Sequence, residues 1–140
     1  MFNRIHFYIF AKLTFYFMHG YLYIFGTLFF TVFGQILLKW RLNTLSFTIP
    51  EGNAIYKATS FAKLLIDPYI LFGFASAFIA SIFWIAAMTK FEITYAYPFM
   101  SLAPALVFIV GILFLGETFT TGKILGLLII TIGIFVTVKF

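Results

Sequence analysis

Four apolar runs divide the chain. The first, Tyr21 to Leu38, is closed by Lys39, Trp40 and Arg41. The second, Tyr69 to Met88, is opened by Asp67-Pro68 and closed by Lys90. The third runs from Thr94 to Leu115 and ends at Gly116-Glu117; the fourth, Thr121 to Val138, ends at Lys139. No Asp, Glu or Arg interrupts any of them. Lys123 sits in the first turn of the fourth, where a long side chain can snorkel toward the headgroups. Each run has about the 20 residues that a helix needs to cross a bilayer. In hydrocarbon the backbone must satisfy its own hydrogen bonds, so each is predicted to be a helix. The expected fold is an all-α integral membrane bundle of four transmembrane helices, with spans at about 21–38, 69–88, 94–115 and 121–138.

The connections are unequal. About five residues separate the second run from the third and the third from the fourth, which predicts antiparallel neighbours. Residues 39–68 form a longer link. Within it, Pro50-Glu51-Gly52-Asn53 signals a turn. After the turn, Ala54, Ile55, Ala58, Phe61, Ala62 and Leu65 recur at helical spacing with Lys57, Ser60 and Lys63 between them. This predicts a short amphipathic helix on the bilayer surface, with an irregular loop as the alternative. Residues 1–17 are set apart from the four-helix domain, 18–140. There Arg4, Tyr8 and Lys12 share one helical face. The segment is read as an interfacial helix, an extension of the first span, or a stretch upstream of a natural start at Met18. No small-residue cleavage site follows, so it does not read as a signal peptide.

Composition agrees. Apolar residues make up 64% of the 140-residue chain and charged residues 9%, with 22 Phe; a soluble domain carries roughly 25% charged residues. Too little polar surface is present to cover a water-exposed globule. Without cysteine, disulfides and thiolate metal sites are excluded. The net charge of +5 comes from basic residues scattered between apolar runs, which gives no case for nucleic acid. Arg4, Lys12, Lys90 and Lys139 fall on one side of a four-span topology, and Lys39, Arg41, Lys57, Lys63 and Lys123 on the other. Setting aside residues 1–17 leaves two against five, which places the long link in the cytoplasm.

Small residues predict where helices approach. Gly122, Gly126 and Gly133 share a face of the fourth run; Gly73, Ala77 and Ser81 follow at four-residue steps in the second, with Ala80 beside them. In lipid, close approach through such residues drives helix association. The fourth-run glycines serve either packing within the unit or a dimer contact. Four short helices enclose little room for a solute, and transporters commonly pair repeats around a midplane site. A homodimer, or a heterodimer with a similar small membrane protein, is therefore expected.

Phe33-Gly34-Gln35-Ile36-Leu37-Leu38-Lys39 closes the first run, and Thr94-Tyr95-Ala96-Tyr97-Pro98-Phe99-Met100-Ser101-Leu102 opens the third. Leu115-Gly116-Glu117-Thr118, Gly126 and Ile132-Gly133 complete a pattern over about residues 18–139. It resembles the four-helix members of the drug/metabolite transporter superfamily, which includes the small multidrug resistance proteins and EamA-type half-units. The Gly-Gln near the end of the first run, the Ala-Tyr-Pro opening of the third and the Gly-Glu before the fourth bring the likeness nearest to the subunits that flip aminoarabinose-linked undecaprenyl phosphate, and Trp84 followed by Ala86-Ala87-Met88 also fits their pattern. The resemblance implies handling of a lipid-linked sugar at a bacterial inner membrane. Two positions depart from the multidrug exporters. Thr31 stands where they carry a membrane-embedded Glu, and Pro98 where they carry a Trp. A Thr cannot exchange a proton with a cationic drug.

Several residues invite a role. Gln35 suits either a hydrogen bond to a sugar or phosphate or an interhelical hydrogen bond. Lys39 and Arg41, at the membrane boundary, suit phosphate binding or interfacial anchoring. Tyr95 and Tyr97 belong either to the aromatic belt or to a polar cavity. Pro98 sits in a first turn, where Pro is tolerated. Pro104 removes the helical bond to Met100 and predicts a kink. Glu117 suits the positive end of the fourth helix. His6 and His19 are isolated, and no metal constellation or nucleophile–base pair is visible, so neither enzyme chemistry nor a cofactor is expected. The candidate substrate site is Gln35, Lys39, Tyr95 and Tyr97. The leading function is a transporter or flippase subunit for a lipid-linked sugar or similar amphiphile. The alternatives are a small-molecule exporter of the multidrug type and a non-transporting membrane subunit of a glycan-assembly complex.

Overall fold

In the computed structural model the backbone is described for residues 2–139, and side chains for residues 18–137 and 139. The face carrying Arg4, Tyr8 and Lys12 therefore lies outside the described side chains. Among the described residues six helices follow one another: α1 (Phe2–Thr44), α2 (Ala54–Leu65), α3 (Pro68–Met88), α4 (Ile93–Met100), α5 (Leu102–Leu115) and α6 (Thr121–Lys139). Among the described residues three stretches are long and apolar enough to cross a bilayer: Met18–Thr44, Pro68–Met88 and Ile93–Leu115. The last joins α4 and α5. The 19 residues of α6 are equally apolar in character, and at 1.5 Å per residue they reach about 28 Å, close to the ~30 Å of hydrocarbon. The protein is a multi-pass helical membrane bundle.

The third span is not one helix. It breaks at Ser101, whose amide donates to the Pro98 carbonyl at 3.1 Å, a tighter turn than the α-helical one. The break lies three residues before Pro104, whose ring carries no amide hydrogen for the Met100 carbonyl and crowds it.

Helices α1 and α3 form the central pair, and glycine sets their separation. A Cβ at Gly34 would stand 2.9 Å from the Gly73 carbonyl oxygen, and a Cβ at Gly73 would meet Leu38 at 2.7 Å. Ser76 donates across the seam to the Phe30 carbonyl at 2.7 Å, and the Phe83 ring fills the space left by Gly26. On α3 the buried face is Gly73, Ser76, Ala80 and Ala87. The four-step series read from the sequence holds only at Gly73, since Ala77 and Ser81 are exposed. Ile24 and Leu28 of α1 close the core with Ala87, Phe91, Ala96 and Ala103. Helix α6 leans only on α4 and α5 among the described residues. A Cβ at Gly122, Gly126 or Gly133 would meet nothing within 4 Å.

The long link contains the helix α2. The Asn53 side chain caps it by accepting from the Tyr56 amide at 2.9 Å. No residue of α2 is buried, and Ile55 and Ile66 are among the most exposed apolar side chains. The link returns to α3 through a latch. Arg41 Nε and Nη2 donate to the Asp67 carboxylate at 2.7 to 3.1 Å, and the guanidinium lies over the Tyr69 ring, 4.7 Å from its centre. Asp67 also accepts from the Tyr69 and Ile70 amides, capping α3. The hydrogen bonds from Arg41, then the backbone amides, hold its carboxyl below the usual carboxylate range. A depressed carboxyl contributes stability above its unfolded value of about 3.9, and that stability is lost as pH falls through the folded value. Thermal unfolding in detergent should therefore be level from neutrality to about pH 4 and fall below it. Asp67→Asn should start lower at neutral pH and lose much of that acid limb.

Candidate functional site

A cavity of about 320 Å³ opens beside the seam between α1 and α3, with α4 as its third wall. That volume is near the lower end of the ~300–1,000 Å³ of small-molecule sites. The α1 wall carries Thr27, Thr31 and Gln35; α3 contributes Ser81 and Trp84; α4 contributes Tyr97. Gly34, Leu38, Gly73, Ala77, Ala80 and Met100 complete the lining. Thr27, Thr31 and Gln35 are four residues apart, so they rise as one stripe along a helix face. The glycines keep the walls low, and the side chains opposite remain accessible.

The polar groups divide into satisfied and unsatisfied ones. Thr27 donates to the Tyr23 carbonyl at 2.9 Å and is buried; Ser81 donates to the Ala77 carbonyl at 3.0 Å. The Thr31 hydroxyl, Gln35 amide, Trp84 indole N–H and Tyr97 hydroxyl make no hydrogen bond to any described residue. Gln35 is therefore not used as an interhelical clasp here. Trp84 and Tyr97 hold each other edge to face, ring centres 5.8 Å apart. Among the described residues no charged side chain lines the cavity. It offers neutral donors and acceptors and an indole face, set among apolar exposed surface. Unpaired polar groups in a low-dielectric setting favour a ligand that can pair them.

Of the four residues read from the sequence as a substrate site, two meet here and two do not. Gln35 and Tyr97 line the cavity. Tyr95 points into an aromatic cluster instead. Its hydroxyl is 2.6 Å from that of Tyr21, and its ring packs against Phe91 and Phe99 with centres 5.3 and 5.6 Å away. Lys39 stands 3.7 Å from the Glu117 carboxylate, both side chains about half exposed. That pairing, rather than the start of α6, is where Glu117 is directed: left-handed Gly116 turns the chain, and the Glu117 amide returns to the Gly111 carbonyl at 3.2 Å. Arg41 is committed to Asp67. Thr27, Thr31, Ser81 and Trp84 were not singled out as site residues by sequence reading. The four-residue spacing of Thr27, Thr31 and Gln35 was the available signal. Among the described residues no cluster of His, Cys, Asp and Glu has metal-ligand geometry.

Comparison with known proteins agrees with this architecture. Residues 7–139 match the model of the EamA-like transporter family. Over 118 residues, 83% of this chain and 77% of the relative, the chain is 30% identical to a protein of Aeromonas hydrophila subsp. hydrophila. That relative is described as a probable 4-amino-4-deoxy-L-arabinose-phosphoundecaprenol flippase subunit, ArnF. No solved structure matches the chain. With a family match spanning nearly its whole length and all its transmembrane helices, the chain belongs to the EamA-like transporter family.

Proposed function

We propose that the chain is a flippase subunit of a bacterial inner membrane, handling a sugar carried on a long-chain isoprenoid phosphate. The observation that carries this reading is the neutral, hydrogen-bonding cavity between α1, α3 and α4. Sugar hydroxyls pair with the Gln35 amide and with the Thr31 and Tyr97 hydroxyls, and an amino group on the sugar meets the Trp84 ring face. The substrate named for the ArnF relative has this chemistry, a phosphate-linked aminosugar on a polyprenol. Lys39, at the boundary, attracts the phosphate. The cavity is small and walled on three sides only, and the Gly122, Gly126 and Gly133 face of α6 is unfilled. Both features support a working dimer, with a second copy or a similar partner against α6.

The test is reconstitution in liposomes. The protein, with its partner subunit if it has one, should move the lipid-linked aminosugar between leaflets and should not export ethidium under a pH gradient. Thr31 carries no ionisable carboxyl at the place where the multidrug exporters carry an acid. Ethidium export abolished by collapsing the gradient would instead make the chain a cation exporter. Sugar-lipid handling without any movement would make it a supporting subunit.

A further inference from the structure

On the other side of α1 lies a second concavity, of about 380 Å³, with different chemistry. Phe33, Ile36, Leu37 and Trp40 of α1 face Val110 and Phe114 of α5. Among the described residues no charged or hydroxyl-bearing side chain lines it. From Phe33 to Trp40 it follows the helix for about 10 Å. Lys39 precedes Trp40 on α1 and Glu117 lies two residues beyond Leu115, so their ion pair stands beside the Trp40–Leu115 end of the groove, outside its lining. The groove is thus apolar along its length and charged at one end, the end that Trp40, Lys39 and Arg41 place at the membrane boundary.

We infer that this groove seats the chain of an isoprenoid monophosphate, with the phosphate held by Lys39. The inference rests on the flippase reading above and adds to it a docking place for the carrier, apart from the cavity for the sugar. Charge decides the occupant. An apolar partner helix would fill the groove but bring no anion to Lys39, whose acidic partner among the described residues, Glu117, is held only at 3.7 Å. A phosphate on an apolar chain satisfies both. Lys39 is free to change partners, because its pair with Glu117 is long at 3.7 Å and its side chain is 52% exposed; such pairs contribute little. Arg41 is not free in this way, since Asp67 takes its guanidinium through three hydrogen bonds. Glu117 is then the competitor that the phosphate displaces, and it resets Lys39 when the lipid leaves.

The two tryptophans of the chain report on different places, Trp40 on the groove and Trp84 on the cavity. In a Trp84→Phe protein reconstituted into brominated phosphatidylcholine, Trp40 should be quenched. Undecaprenyl phosphate, which carries no sugar, should restore its fluorescence saturably, at about fivefold lower concentration than the uncharged polyprenol. Lys39→Ala should abolish that preference, Lys39→Arg should keep it, and Glu117→Gln should strengthen it. Equal, non-saturating recovery with both lipids, or an unchanged preference in Lys39→Ala, would overturn the inference. So would a Trp40 already shielded from bromine, which would place a second protein copy in the groove. Because the probe has no sugar, groove binding can succeed while aminosugar transport fails, and the reverse, so the two readings fall separately.

Discussion

Replacing Gly34 by Leu should abolish the folded bundle. The reason is the identity of the neighbour. A Cβ at Gly34 meets the backbone carbonyl of Gly73 at 2.9 Å, and Ser76 behind it at 3.3 Å. A flexible side chain could swing away; a carbonyl in the middle of α3 cannot. The two helices would have to part, breaking the Ser76 bond to the Phe30 carbonyl and lifting Phe83 off Gly26. In lipid no hydrophobic force between helices offsets the lost close packing. Gly34→Ala already requires a shift, with an expected loss of about 1–3 kcal/mol. The bulk of Leu exceeds what relaxation can absorb. Equilibrium unfolding in mixed detergent–dodecyl sulfate micelles checks this. Gly126→Leu is the control: its Cβ meets open space, so monomer stability should stay within about 0.5 kcal/mol. If Gly126→Leu is as disruptive as Gly34→Leu, α6 packs into the unit and the proposed dimer face is lost.

The second large effect concerns the cavity. Gln35→Leu keeps the volume and removes an amide whose donors and acceptor face the ligand space unpaired. Tyr97→Phe removes one hydroxyl and leaves the edge-to-face contact with Trp84 in place. Each hydrogen bond to a ligand contributes about 1 kcal/mol net, and more where the partner group is left buried and unpaired. Transport of the lipid-linked aminosugar should therefore fall about tenfold in Gln35→Leu, several-fold in Tyr97→Phe, and further in the pair. Tyr95→Phe should fall less, because the Tyr95 hydroxyl is engaged by Tyr21, outside the cavity. Expression and thermal stability of Gln35→Leu and Tyr97→Phe should match the parent, while Tyr95→Phe loses the bond to Tyr21 and with it about 1 kcal/mol of stability. Initial rates in proteoliposomes, normalised to inserted protein, are the readout.

Much of the fold was legible because charge punctuates it. Lys39, Asp67, Lys90, Glu117 and Lys139 bracket the apolar runs, and the helices begin and end near them. The amphipathic spacing after Asn53 marked α2, and Pro104 marked the irregularity that the structure resolves as a break at Ser101. The details of packing were less legible. Four-residue steps drift about 40° each around a helix, whereas alternating threes and fours hold one face. The series Gly73, Ala77, Ser81 therefore walks off the α1 seam into the cavity, and Ser76, Ala80 and Ala87 take its place. The same drift separates Lys39 from Gln35, and the Glu117 carboxylate at the end of α5 captures it. Tyr95 and Tyr97 read alike in the sequence, yet two residues along α4 rotate them by about 200°, one into the aromatic cluster and one into the cavity. Which neighbours await on each side is a tertiary fact that spacing does not contain.

Recognition of the sugar head by the α1–α3–α4 cavity is read out by equilibrium binding of two lipids, undecaprenyl phosphate with and without the aminosugar, to the parent protein and to Gln35→Leu. In the parent, the sugar-bearing lipid should bind more tightly than the bare carrier. In Gln35→Leu, that advantage should shrink about tenfold while affinity for the bare carrier is unchanged. An undiminished sugar preference in Gln35→Leu, or equal loss of affinity for both lipids, would mean that the sugar head is not held in this cavity.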